Sequence, residues 1–286
     1  MRPWPSLLVL LAAGALSCGI DAAPGRSPAS GPGWKALEPG LELGVFPMPK
    51  KSEVGGSQLT VLRIDPARWE LELVGRSAGH GTKGATAREW CRARGLVAGI
   101  NAGMFATDYV THVGHLRSRD RVLSAHRNAY RSVAAFHPRR DELPRFRIFD
   151  LDAPGARWDS ITDGYRSAAQ NLRLIRRPGV DVWDPKVTDA WSEAALAEDS
   201  EGRILFLFCR SPYTMHEFNH QILTLGIGIV AAQHLEGGPE AQIYVRAGGE
   251  EVERFGSFET SFQENDSGSH SWPIPNVLGI RRREAP

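Results

Sequence analysis

The stretch His234-Leu235-Glu236-Gly237-Gly238-Pro239-Glu240 decides how this chain folds. Ile227-Gly228-Ile229-Val230-Ala231-Ala232 precedes it and Gln242-Ile243-Tyr244-Val245 follows, so the pattern predicts strand, glycine turn, strand. A carboxylate where a buried strand ends, beside two glycines, is a place for chemistry. Glycine takes positive φ without a steric cost and lets a ligand approach the backbone. The plainer alternative is a hairpin turn with Glu236 facing water.

Working outward, Leu59–Asp65 and Trp69–Leu73 read as strands, the second alternating cleanly between a buried and a wet face. Thr86-Ala87-Arg88-Glu89 is a capping box opening a helix through Arg94, with Gly95 as its stop. Leu96–Ile100 returns as a buried strand ending on Asn101. Short strands follow at Val113–Arg117, Val122–Ser124, Val133–His137, Phe146–Leu151 and Asn171–Ile175, with a loop or helix start at Arg157–Gly164. Arg203–Cys209 is the most apolar strand, and a helix from Met215 to Leu225 comes next. Val252–Phe258 and Val277–Arg281 close the chain. Strands dominate and do not alternate with helices, so the expected class is α+β. A single domain over 34–286 is expected, with a mixed β-sheet core and a few packed helices.

With 286 residues and 42% hydrophobic content the chain can bury a full core, and a net charge of +1 sets up no field toward nucleic acid or acidic membranes. Residues 1–18 read as a secretory signal: Arg2, the apolar run Leu7–Ala13, then small residues up to Cys18. Ala15-Leu16-Ser17-Cys18 resembles a bacterial lipobox, which implies a lipidated Cys18 and a membrane contact through that anchor alone. Cleavage after Ala15 would instead leave a soluble exported protein. Residues 19–33, rich in Pro, Gly, Ala and Ser, read as a flexible tether. Cys91 and Cys209 sit in apolar settings, where a disulfide and two free buried thiols are equally compatible with the sequence.

Two constellations compete with the glycine turn as chemistry. His216-Glu217-Phe218-Asn219-His220 fits the H-E-x-x-H zinc pattern, which would make His216 and His220 ligands of a zinc hydrolase. Thr214-Met215-His216-Glu217 is also a capping box, however, and no third ligand follows at the usual distance. Asp108, His112 and His115 could gather round an ion, but loop histidines near aromatic residues more often pack. No P-loop, dinucleotide fingerprint or G-x-S-x-G occurs, and no cofactor is expected.

In their order, these segments resemble the phosphodiester glycosidase family. The resemblance is carried by Ile100-Asn101-Ala102-Gly103-Met104-Phe105, Val113-Gly114-His115-Leu116, Gln170–Leu174, Ile204–Phe208, Thr214–Phe218, Leu235–Pro239 and Asn276–Ile280. It implies an exported hydrolase acting on a sugar 1-phosphodiester, with a sugar phosphate or glycan as its partner. Glu236 would be the base or nucleophile, and Asn101 a second catalytic group. The backbone of Gly237 and Gly238, with Arg210 and His115, would bind the phosphate. Three departures stand out: Glu236 replaces the family Asp, Pro239 its third Gly, and Glu240-Ala241 its serine pair. Pro239 removes one N–H donor, so a non-catalytic, glycan-binding envelope lipoprotein is the alternative.

Overall fold

The computed structural model describes residues 33–75, 84–260, 263–264 and 269–284. The expected signal with Cys18, and the tether up to residue 32, lie outside the described residues.

The architecture grows from two neighbouring apolar strands, Ala190–Asp199 and Ile204–Thr214. Side chains alternate along a strand. Ala194, Leu196, Phe206 and Phe208 therefore enter one core, and Ala195, Ala197, Leu205 and Leu207 enter another on the opposite face. Buried on both faces, these strands form the middle of an eight-stranded sheet. Its order is Trp34–Glu38, Leu41–Pro47, Gln58–Ile64, Ile204–Thr214, Ala190–Asp199, Ile229–Gly237, Arg173–Arg176, Val180–Asp181. A five-stranded sheet orders Glu250–Phe255, Gln242–Ala247, Ala98–Asn101, Asn276–Arg282 and Trp69–Gly75. A second orders Arg121–Ser124, Leu116–Ser118, Tyr165–Asn171, Ser132–Pro138 and Phe146–Asp150.

Among the described residues the fold is mostly β with three α-helices, the coarse form of the α+β expectation. The expectation of a mixed sheet is corrected: the described strand pairings are antiparallel, including the central ones. Helix α1, Ala87–Arg94, has its whole capping box: Glu89 N–H donates to Thr86 Oγ1 at 3.2 Å and Thr86 N–H to Glu89 Oε2 at 2.8 Å. Gly95 ends it at φ 62°, a left-handed conformation that favours glycine. Helix α2, Trp158–Gly164, forms where the sequence left loop or helix start open. Helix α3, Met215–Thr224, packs Met215, Phe218 and Ile222 into the second core.

Cys91 and Cys209 are both free and buried, and burial pushes each thiol up to about 12. The structure thus decides between the two readings of those cysteines.

The glycine turn is not a hairpin. Ile229–Gly237 belongs to the eight-stranded sheet and Gln242–Ala247 to a five-stranded one, with a 3₁₀ turn, Gly238–Glu240, between them. The chain changes sheets at this point, and the turn lies on the seam.

Candidate active site

Glu236 sits where its strand departs from regular pairing. Ala194 pairs with Glu236 but Ala195 pairs with His234, so two residues of one strand face three of the other. This is a β-bulge, a feature that re-aims side chains. Leu235, the extra residue, remains in the main core while His234 and Glu236 both line a cavity of about 380 Å³ on the seam. The loop after Asn101 supplies another wall through Met104, Phe105 and Tyr109, the beginning of the central strand Ala190–Asp199 adds Trp191, and Glu240 and Glu259 complete the carboxylates.

Local chemistry explains the turn. A Cβ on Gly237 would lie 2.7 Å from Trp191 Cδ1, so glycine lets the indole pack against the backbone. Gly238 has φ +65°, a conformation that strains other residues. Pro239 stands in the first turn of the 3₁₀ segment, where its fixed φ suits the geometry and its missing N–H breaks no helical bond. The loop on the opposite wall is held by Asp108, whose carboxylate accepts from Val110 N–H at 2.9 Å, Thr111 N–H at 2.8 Å and Thr111 Oγ1 at 2.6 Å. Phe105 and Tyr109 pack there with ring centroids 5.2 Å apart.

Burial pushes the Glu236 carboxyl up to about 8; the charge of His234 and the Gly237 N–H work against the rise, while Glu240 and Glu193 add to it. Gly237 N–H donates to Glu236 Oε1 at 3.2 Å, so this donor is taken by the carboxyl beside it. Beneath lies a pair that sequence reasoning did not single out. His234 Nδ1 is 2.8 and 2.9 Å from the two oxygens of Glu193, and Trp191 Nε1 donates to Glu193 Oε2 at 2.7 Å. Two signals existed: a carboxylate inside an apolar strand, and a histidine two residues before Glu236.

The other expected site residues are placed less centrally. Asn101 is buried and works as a clamp: its Nδ2 donates to Glu240 O at 2.9 Å, and its Oδ1 accepts from Gln242 N–H at 2.7 Å. It fixes the far end of the turn and is not among the lining residues. His115 lies away from the cavity, edge-on to Trp158 at 5.1 Å, where burial and then Arg117 hold its pKa down. Arg210 is exposed, with its guanidinium 5.6 Å from the Phe258 ring, one residue before the cavity-lining Glu259. The structure therefore brings Glu236, Gly237 and Gly238 together, puts Asn101 behind them, and leaves His115 outside.

His216 and His220 do not converge on an ion. His216 Nδ1 lies 2.6 Å from Asp181 Oδ2, His220 is exposed, and Glu217 pairs with Lys50. Thr214 supplies one half of the expected capping box, accepting from Glu217 N–H at 3.2 Å, while the Glu217 carboxylate turns to Lys50. Nor do Asp108, His112 and His115 gather: Asp108 serves its own turn and His112 Nε2 lies 3.1 Å from Gln170 O.

Residues 94–281 match the sequence model of the phosphodiester glycosidase family. The chain belongs to that family. Every cavity residue named above falls inside the matched span. Among solved structures, the catalytic domain of zebrafish N-acetylglucosamine-1-phosphodiester alpha-N-acetylglucosaminidase, auto-inhibited by its pro-peptide, is similar in fold. Its TM-score is 0.61 at 13% identity, with 87% of this chain and 86% of that one covered. A hypothetical protein from Synechocystis shares the fold at TM-score 0.55 and 13% identity, over 85% of this chain and 62% of that one. No curated protein matches in sequence.

Proposed function

We propose that this phosphodiester glycosidase family member is an exported hydrolase that cleaves a sugar 1-phosphodiester, with Glu236 as the reacting carboxyl. The observation that carries the reading is Glu236 itself: a buried carboxyl inside the span that matches the family, lining a cavity with Trp191, Phe105 and Tyr109 as apolar walls for a sugar ring. Raised to about 8, it is protonated at neutral pH. It then enters the reaction as an acid, where the ionised form would be a base or nucleophile. The acid form suits this substrate. An ionised Glu236 about 4 Å from a phosphate charge would repel it by about 4 kcal/mol at an effective dielectric of about 20.

In the proposed step the C1–O bond breaks, and its electron pair stays on the phosphate oxygen, which takes the proton of Glu236. Water then bonds to C1 and returns a proton to the Glu236 carboxylate, leaving a free sugar and a phosphomonoester. Asn101 acts as a positioning residue through Glu240 and Gln242, and Arg210 is the candidate for meeting the outer part of the phosphate. In this reading residues 34–286 are the catalytic domain, 1–18 the signal, and 19–33 the tether from a lipidated Cys18.

Incubating the protein with a panel of sugar 1-phosphodiesters tests the activity, with release of free sugar expected from at least one. Binding of glycans without cleavage of any member would put the glycan-binding alternative in its place. Export is tested separately: wild type should partition with membranes and Cys18→Ser should not, and an N-terminus at Leu16 would refute the anchor.

A further inference from the structure

A phosphodiester brings negative charge into a cavity that already holds the carboxyls of Glu236, Glu240 and Glu259. Among the described residues lining it, His234 is the one side chain able to carry positive charge. We propose that Glu193 and His234 form the charge-holding pair of this site: Glu193 keeps His234 an imidazolium with Nε2–H left for the cavity, where it accompanies the negative charge formed on Glu236 and the departing phosphate. The inference rests on the hydrolase reading above. His234 is its catalytic residue, and Glu193 a positioning residue acting through it.

The geometry is that of a held donor. Both Glu193 oxygens lie within 2.9 Å of His234 Nδ1, and the Trp191 indole N–H holds Glu193 from a second side. The pair is almost closed to solvent, Glu193 at 1% and His234 at 4% exposure. With Nδ1 engaged, Nε2 is the ring nitrogen left to the cavity that His234 lines. A buried carboxylate is a poor way to stabilise a core strand, and apolar residues of similar volume usually serve as well or better. Ala194, Ala195 and Leu196 fill the adjoining positions of the same strand, so Glu193 stands out there; burial pushes its own carboxyl up, and His234 with the Trp191 N–H works against that rise.

Charged and titratable groups face His234 from every side of the site. Glu236 is on its own strand and Glu193 on the neighbouring one; Glu240 comes from the 3₁₀ turn, Glu259 from Phe258–Thr260, and Tyr109 from the opposite loop. Tyr130 is near enough that the Glu236 charge, after burial, helps hold its phenol neutral. Burial works against a charged imidazole, but Glu193 outweighs it and Glu236 adds to the effect, so His234 is held above its ordinary value. During the reaction His234 keeps its proton. Glu236 becomes a carboxylate as the C1–O bond breaks, and the adjacent imidazolium stabilises it until water returns the proton.

The test uses full-length protein with ¹⁵N-labelled histidine, titrated by NMR from pH 5 to 9, in wild type and Glu193→Gln. Wild-type His234 should remain an imidazolium at pH 7, with a midpoint above about 7 against an ordinary value of about 6.5. In Glu193→Gln only the burial effect and weaker charges remain, so the midpoint should drop below about 6.5 and the ring be neutral at pH 7. Hydrolysis by Glu193→Gln should fall about 10²-fold at pH 7.5, the scale of losing one charge-stabilising donor, and recover toward pH 5.5 as His234 is protonated again. His234→Gln should lose rate to a similar extent at every pH. An unshifted His234 midpoint, or a loss in Glu193→Gln that is equal at all pH values, overturns the proposal. Should Glu193→Gln fail to fold, a wild-type midpoint below about 7 overturns it alone, and a midpoint above about 7 together with the pH-independent loss in His234→Gln supports it. The NMR arm needs no substrate. A shifted midpoint in a protein that cleaves no phosphodiester would sustain the pair and reject the hydrolase reading.

Discussion

Replacing Glu236 with Gln should make the protein inactive and more stable at once. Burial raises this carboxyl from 4.5 to about 8. At pH 7 the folded protein therefore still holds a proton that the unfolded chain has released. Each pH unit between 4.5 and 7 contributes about 1.36 kcal/mol, so the ceiling on the destabilisation is about 3 kcal/mol. Glu236 keeps partial exposure at the cavity, which brings the expected value to about 1–3 kcal/mol. The sign follows from a folded value above the unfolded one: the stabilising contribution is whole below about 4.5 and lost as pH rises through about 8. Gln keeps the shape and carries no such dependence. Urea unfolding of both proteins between pH 4 and 9 should give equal stabilities near pH 4, a gap widening in favour of Glu236→Gln up to about pH 8, and a constant gap above. Hydrolysis should fall at least 10²-fold, the low end for a lost acid or base. Parallel stability curves, or a Gln variant less stable at pH 7, would show the carboxyl ionised in the fold and refute the acid role.

Further outcomes follow from neighbouring contacts. Wild-type turnover should fall about tenfold per pH unit above about 8, and a rate that climbs there would favour the base role. Asn101→Ala removes bonds to Glu240 O and Gln242 N–H; it should cost about 2 kcal/mol in urea unfolding and raise KM more than it lowers kcat, since the reacting carboxyl remains. Gly238→Ala, at φ +65° and with its Cβ 3.3 Å from Glu259 Cβ, should cost about 1 kcal/mol and impair turnover. Thr214→Ala should cost about 1 kcal/mol through the lost cap of α3, while His216→Ala and His220→Ala leave turnover intact. Stoichiometric zinc in the purified protein, lost with activity in either histidine variant, would reverse that last reading.

Much of this fold was legible wherever one local rule decided the outcome. The Thr86–Glu89 capping box and Gly95 stop define α1, because cap chemistry depends on residues three apart. The apolar run Arg203–Cys209 announces a buried strand, found within Ile204–Thr214, whereas its partner Ala190–Asp199, alanine-rich and carrying Glu193 and Glu198, gives no clear strand pattern of its own. What local rules do not carry is partnership. Gln242–Ala247 looks like the return strand of a hairpin, yet it pairs with Ala98–Asn101 and Glu250–Phe255 in another sheet. The same gap hid half of the site. Glu193 lies 41 residues before His234, and only the strand register brings them into contact. Asn101 was noticed for its turn, but its side chain bonds across 139 and 141 residues to hold a different one.

The bulge at Leu235 ties these pieces into one physical problem. A strand of the core must place alternate residues in the apolar interior, and a one-residue slip would send each side chain to the wrong face. Leu235 meets that demand, fully buried in the main core, as does Ala231 earlier in the strand. The other face serves the site: His234 and Glu236, two residues apart, point to one cavity. Opposing two residues with three breaks the ladder where the strand leaves its sheet, so the cost in regular pairing falls at the seam. The glycines then turn the chain toward the second sheet before the register error can propagate. Restoring regular pairing by deleting Leu235 would remove a core side chain and reset both His234 and Glu236. The bulge therefore belongs to the site through the pairing partners it gives His234 and Glu236.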